Sequence, residues 1–272
     1  MRTSIVLGAC LCFIAACGAT NGGLRFDPTP AKPPPEIIVA KNSSPEVGVL
    51  VLMSDAIANL ELEHAQNDQV VQLVTSVKEK HQRVEEMRKV LSMDMASSVA
   101  AGVIDEKTLE LDAQKLGKAR AETAPIDGKA LEDLHRILNP AQRKQFATAL
   151  AARADNLPTD DATTRYGTWR SDLEITVIQN EKIEPKLNDE KTIGPSAKAE
   201  HDAWQKRLHD TAAAFEHEKY SSASYVDPDV EKTTIERVHR VVVFLKLIVP
   251  ELTQKQLAAA GENLRAEAGV KN

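Results

Sequence analysis

Histidine and carboxylate side chains one helical turn apart are the spacing from which a helical protein builds a metal site. His64 and Asp68 have that spacing. No His-x-x-x-His pair occurs among the seven histidines. His201, His209 and His217 recur every eight residues, and each step turns about 80° on a helix of 3.6 residues per turn, so they fan around it. They read as solvated helix-face residues, and Met87, Met93 and Met95 as apolar filler. Glu132 with Arg136, Glu79 with Arg83 and Glu85 with Lys89 read as ion pairs along helices, not as acid–base pairs. There is no glycine-rich phosphate loop, Gly-x-Ser-x-Gly turn or zinc-protease motif. The expectation is no catalytic residue, no metal and no cofactor.

The cysteines direct attention to the N-terminus. All three, Cys10, Cys12 and Cys17, lie in the first 17 positions. Arg2 precedes an apolar run, Ile5 to Ala16, that is too short to span a bilayer, for which about 20 residues are needed. The run ends in Ile14-Ala15-Ala16-Cys17, which resembles a bacterial lipobox. That resemblance implies removal of residues 1–16 as a signal peptide and acylation of Cys17. The body would then have no thiol, and its membrane contact would be through the lipid anchor only. The longest later apolar stretch, Val241 to Pro250, is broken by Lys246. A cell-envelope location follows, with the body in the periplasm. Gly18 after Cys17 is compatible with the outer membrane by analogy with other bacterial lipoproteins.

Composition sets the class of the body. The chain has 272 residues and a formal net charge of −6, with 4% aromatic residues. A mildly acidic balance argues against nucleic acid and anionic lipid as partners. Ala, Leu, Glu, Lys and Gln favour helices, so the expected fold class is all-α. Residues 17–45 contain Asn21-Gly22-Gly23, Pro28, Pro30 and Pro33-Pro34-Pro35, and read as a lipidated, extended tether. A first helical unit is expected over 46–157 and a second over 164–268, divided near Pro158. Within the first, Gly102 should stop one helix, Asp105 start the next, and Pro125 with Gly128 interrupt or kink it. Within the second, Pro185 and Gly194-Pro195 should break the pattern. Ile235 to Val249 is β-branched enough to be ambiguous, but its context is helical.

A pentapeptide, apolar–polar–x–x–Gln, orders these elements. Its copies are Leu62–Gln66, Leu138–Gln142, Ile175–Gln179 and Leu252–Gln256. The first two are 76 positions apart and the last two 77, with offsets of 113 and 114 between the pairs. In the second copy, Asn139 is a good N-cap, Pro140 suits the first helical position, and Gln142 can close a capping box. Leu138, just before the cap, can act as a hydrophobic staple. Thr176 with Gln179, and Thr253 with Gln256, repeat the logic. Glu63 is a poor cap, and there the helix is expected to continue through Leu62.

Leu-Thr-x-x-Gln in paired copies resembles the Spy/CpxP family of bacterial periplasmic proteins. The closest passage is Leu134-His135-Arg136-Ile137-Leu138-Asn139-Pro140-Ala141-Gln142-Arg143, and Ala101-Gly102-Val103-Ile104-Asp105 is similar to the family's break between its second and third helices. Asn139 and Glu63 replace Thr, and Ile175 replaces Leu. The resemblance implies small, cradle-shaped helical units, often dimeric. Family members include an ATP-independent chaperone, an inhibitor of an envelope stress kinase and metal sensors. It implies a chaperone-like or stress-adaptor protein that binds unfolded or envelope proteins on a helical surface. The alternatives are a metal-binding or kinase-regulating sensor, tested at His64 and His217, and a structural lipoprotein without clients. Two tandem units would form an intrachain pseudo-dimer in place of the family's homodimer, with a homodimer as the alternative.

Overall fold

The computed structural model describes residues 49, 56–57, 60–157, 162–188 and 196–269. All of these lie within one unit, Ile37–Asn272. The signal-peptide, Cys17 and tether readings lie outside the described residues, as does the Gly194-Pro195 break. The fold is all-α, with no strand among the described residues. We number the main helices α1 (His64–Lys80), α2 (Gln82–Ala101), α3 (Glu106–Ile137), α4 (Pro140–Asp155), α5 (Ala162–Asp172), α6 (Val177–Leu187), α7 (Ser196–Phe215), α8 (Val230–Ile248) and α9 (Gln254–Glu267). Short 3-10 turns at Ser222–Ser224 and Val249–Glu251 flank α8.

Several boundaries follow from local chemistry. Gly102 adopts φ 72°, the left-handed conformation that ends α2, and Val103 N then donates to Ser98 O at 3.1 Å. Asp105 starts α3 by accepting from Thr108 N at 3.1 Å. Other boundaries depart from expectation. The helix does not continue through Leu62; α1 begins at His64 with Glu63 as its extended N-cap. Helix α3 is not interrupted, running 32 residues through Pro125 and Gly128. A proline inside a helix removes one backbone bond and need not stop a helix held by tertiary contacts. Pro185 likewise lies inside α6. One break appears without a Gly or Pro: His81 separates α1 from α2, and its Nε2 meets Asp127 Oδ1 on α3 at 2.6 Å.

Two apolar cores result. The first gathers Leu91, Met95 and Val99 of α2, Leu109 and Leu116 of α3, Ile183 of α6, Phe244 and Ile248 of α8, and Leu257 of α9. The second gathers Val70 and Val77 of α1, Leu131 and Leu134 of α3, Phe146 and Leu150 of α4, and Leu208 and Phe215 of α7. Each core draws helices from both sides of Pro158. Helix α3 runs through both, about 48 Å long at 1.5 Å per residue. Close helix approach is permitted by glycine: a Cβ on Gly117 would come within 2.9 Å of Glu231 O, and one on Gly261 within 3.0 Å of Ala96 O and Ala100 Cβ.

The pairing of helices is reciprocal. Helix α4 packs on α7, α9 packs on α2, and α3 packs on α8. Helix α2 begins 114 positions before α7 and ends 114 before its end, and α4 begins 114 before α9.

Candidate functional site

Each pentapeptide opens a helix, and its glutamine occupies the third helical position. Asn139 Oδ1 accepts from Gln142 N at 3.0 Å, while Gln142 Oε1 accepts from Asn139 N at 2.9 Å. Thr253 and Gln256 close the same box, with Gln256 Oε1 accepting from Thr253 N at 2.9 Å. So do Thr176 and Gln179, at 3.0 Å for the return bond. At the first copy Glu63 N donates to Gln66 Oε1 at 3.0 Å.

The glutamines then do something that capping does not require. Gln66 Nε2 donates to Gln142 Oε1 at 2.9 Å, and Gln142 Nε2 donates back to Gln66 Oε1 at 2.9 Å. The second hydrogen of each amide reaches the chain just before its partner's helix: Gln66 to Ile137 O and Gln142 to Glu61 O, both 2.8 Å. Both donors and both acceptor sites of each amide are thereby used, which is the full capacity of glutamine. Glutamate could not donate, and a charged pair would repel.

The last two copies build the same clasp. Gln179 Nε2 donates to Gln256 Oε1 at 2.8 Å and to Glu251 O at 2.7 Å. Gln256 Nε2 donates to Gln179 Oε1 at 3.2 Å and to Leu173 O at 3.0 Å. In three cases the carbonyl acceptor stands five residues before the partner glutamine. In the fourth it stands six before, and there Glu174 takes φ 51° and turns the chain. The flanking apolar residues anchor each clasp to a core: Leu138 is buried in the second core with Leu62 against it, and Leu252 in the first with Ile175 against it. Gln142 and Gln256 are buried; Gln66 and Gln179 are half-buried.

The histidines disperse. His64 pairs with Asp68 at 3.2 Å on the open surface. His201 lies 3.3 Å from Leu157 O, and His209 lies 3.0 Å from Asp155. His217 contributes its backbone carbonyl, which accepts from Nε2 of buried His135 at 2.9 Å. His135 also stacks on Tyr220 at 5.3 Å and meets Phe215 edge-on at 5.0 Å. Burial pushes its pKa below the ordinary value. No group of three His, Cys, Asp or Glu that could hold a metal occurs among the described residues. No helix among them is long and apolar enough to cross a membrane.

Three expected ion pairs are rearranged. Arg136 pairs with Asp133, leaving Glu132 to accept from Ser222 N at 3.1 Å and Ser222 Oγ at 2.8 Å. Those two bonds hold the Glu132 carboxyl below its ordinary pKa. Arg83 reaches Glu122 at 2.7 Å, and Arg88 takes Glu85 at 2.9 Å. Glu132 and Arg83 thus take tertiary partners, while Arg136 and Glu85 pair within their own helices at a spacing of three.

Large apolar side chains remain on the surface. Val103 is 71% exposed at the α2–α3 turn, and adjacent Val177 and Ile178 are 71% and 68% exposed in the first turn of α6. Leu111 and Val90 are also exposed. The first turn of α6 is the third pentapeptide, whose two middle positions are apolar only in this copy among those that open on a threonine cap.

No family model, curated protein or solved structure matches the chain.

Proposed function

We propose that the chain is a tandem Spy/CpxP-like lipoprotein of the bacterial envelope, acting without ATP as a chaperone-like or stress-adaptor protein. It holds unfolded or envelope proteins on its helical surface. The observation that carries the reading is the exposed Val177–Ile178 pair, with Val103 also open at a helix turn. Exposed apolar side chains among charges suit weak, adaptable capture of apolar segments. The two side chains are 71% and 68% exposed, so the core leaves most of their apolar surface open.

The duplicated unit is supported by the repeated clasp and by the exchange of helices. The α4–α7 and α9–α2 contacts are the reciprocal pair that a two-fold axis generates between copies of one unit. On this reading the chain supplies within itself what two family subunits would supply to each other. Light scattering on the soluble body should report a monomer.

The test is suppression of aggregation of a chemically denatured protein, without nucleotide, from substoichiometric to equimolar chaperone. The expected result is suppression by the native chain and its weakening by Val177→Ser with Ile178→Ser at unchanged thermal stability. Absence of suppression by the native chain overturns the reading in favour of a structural lipoprotein.

A further inference from the structure

Helix α1 is held at its two ends. At its start, Gln66 exchanges hydrogen bonds with Gln142 and donates to Ile137 O at 2.8 Å. Just past its end, His81 Nε2 meets Asp127 Oδ1 at 2.6 Å, with both side chains largely shielded. The two fastenings stand 15 positions apart, roughly 22 Å along a helix. Between them the fit is loose. An open cavity of about 490 Å³ lies between Gln69, Gln72 and Leu73 of α1 and Asp133, Arg136 and Ile137 of α3. Thr75 Oγ1 directs its bond to Val71 O, within α1 itself. Helix α1 buries two side chains over 17 residues, whereas α2 buries six over 20 and α4 five over 16.

The part of α1 that does pack is a narrow stripe. Val70 and Val77 are buried in the second core with Leu73 and Val74 against it, at i, i+3, i+4 and i+7. Helix α1 lies on α3, whose Ala130, Leu131 and Leu134 are buried in the same core. An amphipathic helix occupies an apolar groove in this way, with anchors at those spacings. The helix after the third pentapeptide is held differently. Lys182 and Lys186 of α6 reach Glu251 at 3.7 and 2.8 Å, and Glu184 meets Arg170 at 3.4 Å, so α6 is pinned along its length.

We propose that the face of α3 beneath α1 is a helix-binding groove, that α1 is its resident occupant, and that an amphipathic helical segment of a client displaces it. Helix α1 lifts from α3 with both fastenings undone, turning at His81, the single residue between α1 and α2. The inference rests on the client-binding reading above and gives it a site apart from the exposed Val177–Ile178 pair. The ligand class follows from the occupant. It is a segment with apolar residues at i, i+3 or i+4 and i+7, uncharged on that face, over about two helical turns. The Gln66 clasp and the His81–Asp127 pair together set how often the groove is free, because a ligand reaches only the open fraction.

The test uses the intact chain and a fluorescein-labelled peptide of residues 61–81, followed by fluorescence anisotropy. The peptide should bind saturably, and the same peptide with Val70→Asp and Val77→Asp should not. His81→Ala in the chain removes one fastening, so the apparent Kd for the unaltered peptide should fall about tenfold. Equal binding of the two peptides, or no binding of the unaltered one even to the His81→Ala chain, overturns the inference. Hydrogen exchange of the native chain is a second readout that needs no variant. The amides of α1 should exchange together, with lower protection than those of α3 and α4. Exchange of α1 only in step with α3 and α4 overturns the inference and leaves the chaperone reading to its own assay. Peptide binding without suppression of aggregation upholds the groove and overturns the chaperone reading instead.

Discussion

Gln142→Ala is the most direct perturbation of the glutamine clasps. The substitution removes four hydrogen bonds: from Asn139 N at 2.9 Å, to Glu61 O at 2.8 Å, and the reciprocal pair with Gln66 at 2.9 Å. Each is worth about 1 kcal/mol net, and an acceptor left buried without a donor costs more. Gln66 is half-buried, so water can reach part of what it loses. The expected destabilisation is about 2–4 kcal/mol, or about 5–12 °C in Tm for a domain of this size. Gln142→Glu should be as damaging at neutral pH, because a carboxylate there faces Glu61 O and Gln66 Oε1 with no proton to give. It should recover as pH falls and the carboxyl regains one donor. A double-mutant cycle with Gln66→Ala isolates the pair itself, with an expected coupling of about 1–2 kcal/mol. Thermal and denaturant unfolding supply both numbers. Stability of Gln142→Ala within about 0.5 kcal/mol of the native chain, or strict additivity in the cycle, refutes the clasp as a tertiary fastening and returns it to a helix cap.

Four further outcomes are expected. Gly261→Leu should cost about 1–3 kcal/mol by pushing α9 off Ala96 and Ala100, seen as a lowered denaturation midpoint. All three tyrosines, Tyr166, Tyr220 and Tyr225, have pKa values raised by burial, so ultraviolet titration should show no tyrosinate until pH passes the ordinary value of 10.0. Because the folded state holds those protons longer, stability should fall above that pH, with tyrosinate appearing together with unfolding. His135, whose pKa burial depresses, works in the opposite sense: stability should decline as pH falls below 6.5, and His135→Gln should flatten that decline. Calorimetry with nickel, zinc and copper should show no stoichiometric micromolar binding; binding abolished by His64→Ala or His217→Ala would favour the sensor reading.

What the sequence displayed and what it concealed divide by range. Local signals were legible. Gly102 in the left-handed region, Asp105 as a cap and the boxes at Asn139, Thr176 and Thr253 all involve residues within a few positions of one another. Long-range effects were not. Glu63 has poor capping chemistry, yet α1 starts there, because Gln66 is held by Gln142 and Ile137 and carries the Glu63 amide with it. Pro125 should weaken a helix, but α3 is packed on both sides of it and continues. Glu132 and Arg136 have ideal helical spacing, and Ser222, 90 positions away, takes the carboxylate. The break at His81 has no Gly or Pro to announce it. The four glutamines share a register in the sequence, and the 76 and 77 spacings are the trace of their pairing; the pairing itself needs the chain to return in space.

The packing of α9 on α2 sets the order in which the protein can be finished. Leu257 and Ala260 of α9 belong to the same core as Leu91 and Val99 of α2, across more than half the length of the chain. That core therefore stays open while everything between the two helices is being made. Contacts so distant in sequence slow folding, because a long loop must close before they repay it. The body has to remain unfolded, or partly folded with α2 uncovered, until its last described helix arrives. Completion of that core is therefore a late step in folding. In that interval the uncovered face of α2 is itself the kind of apolar surface that a chaperone would hold.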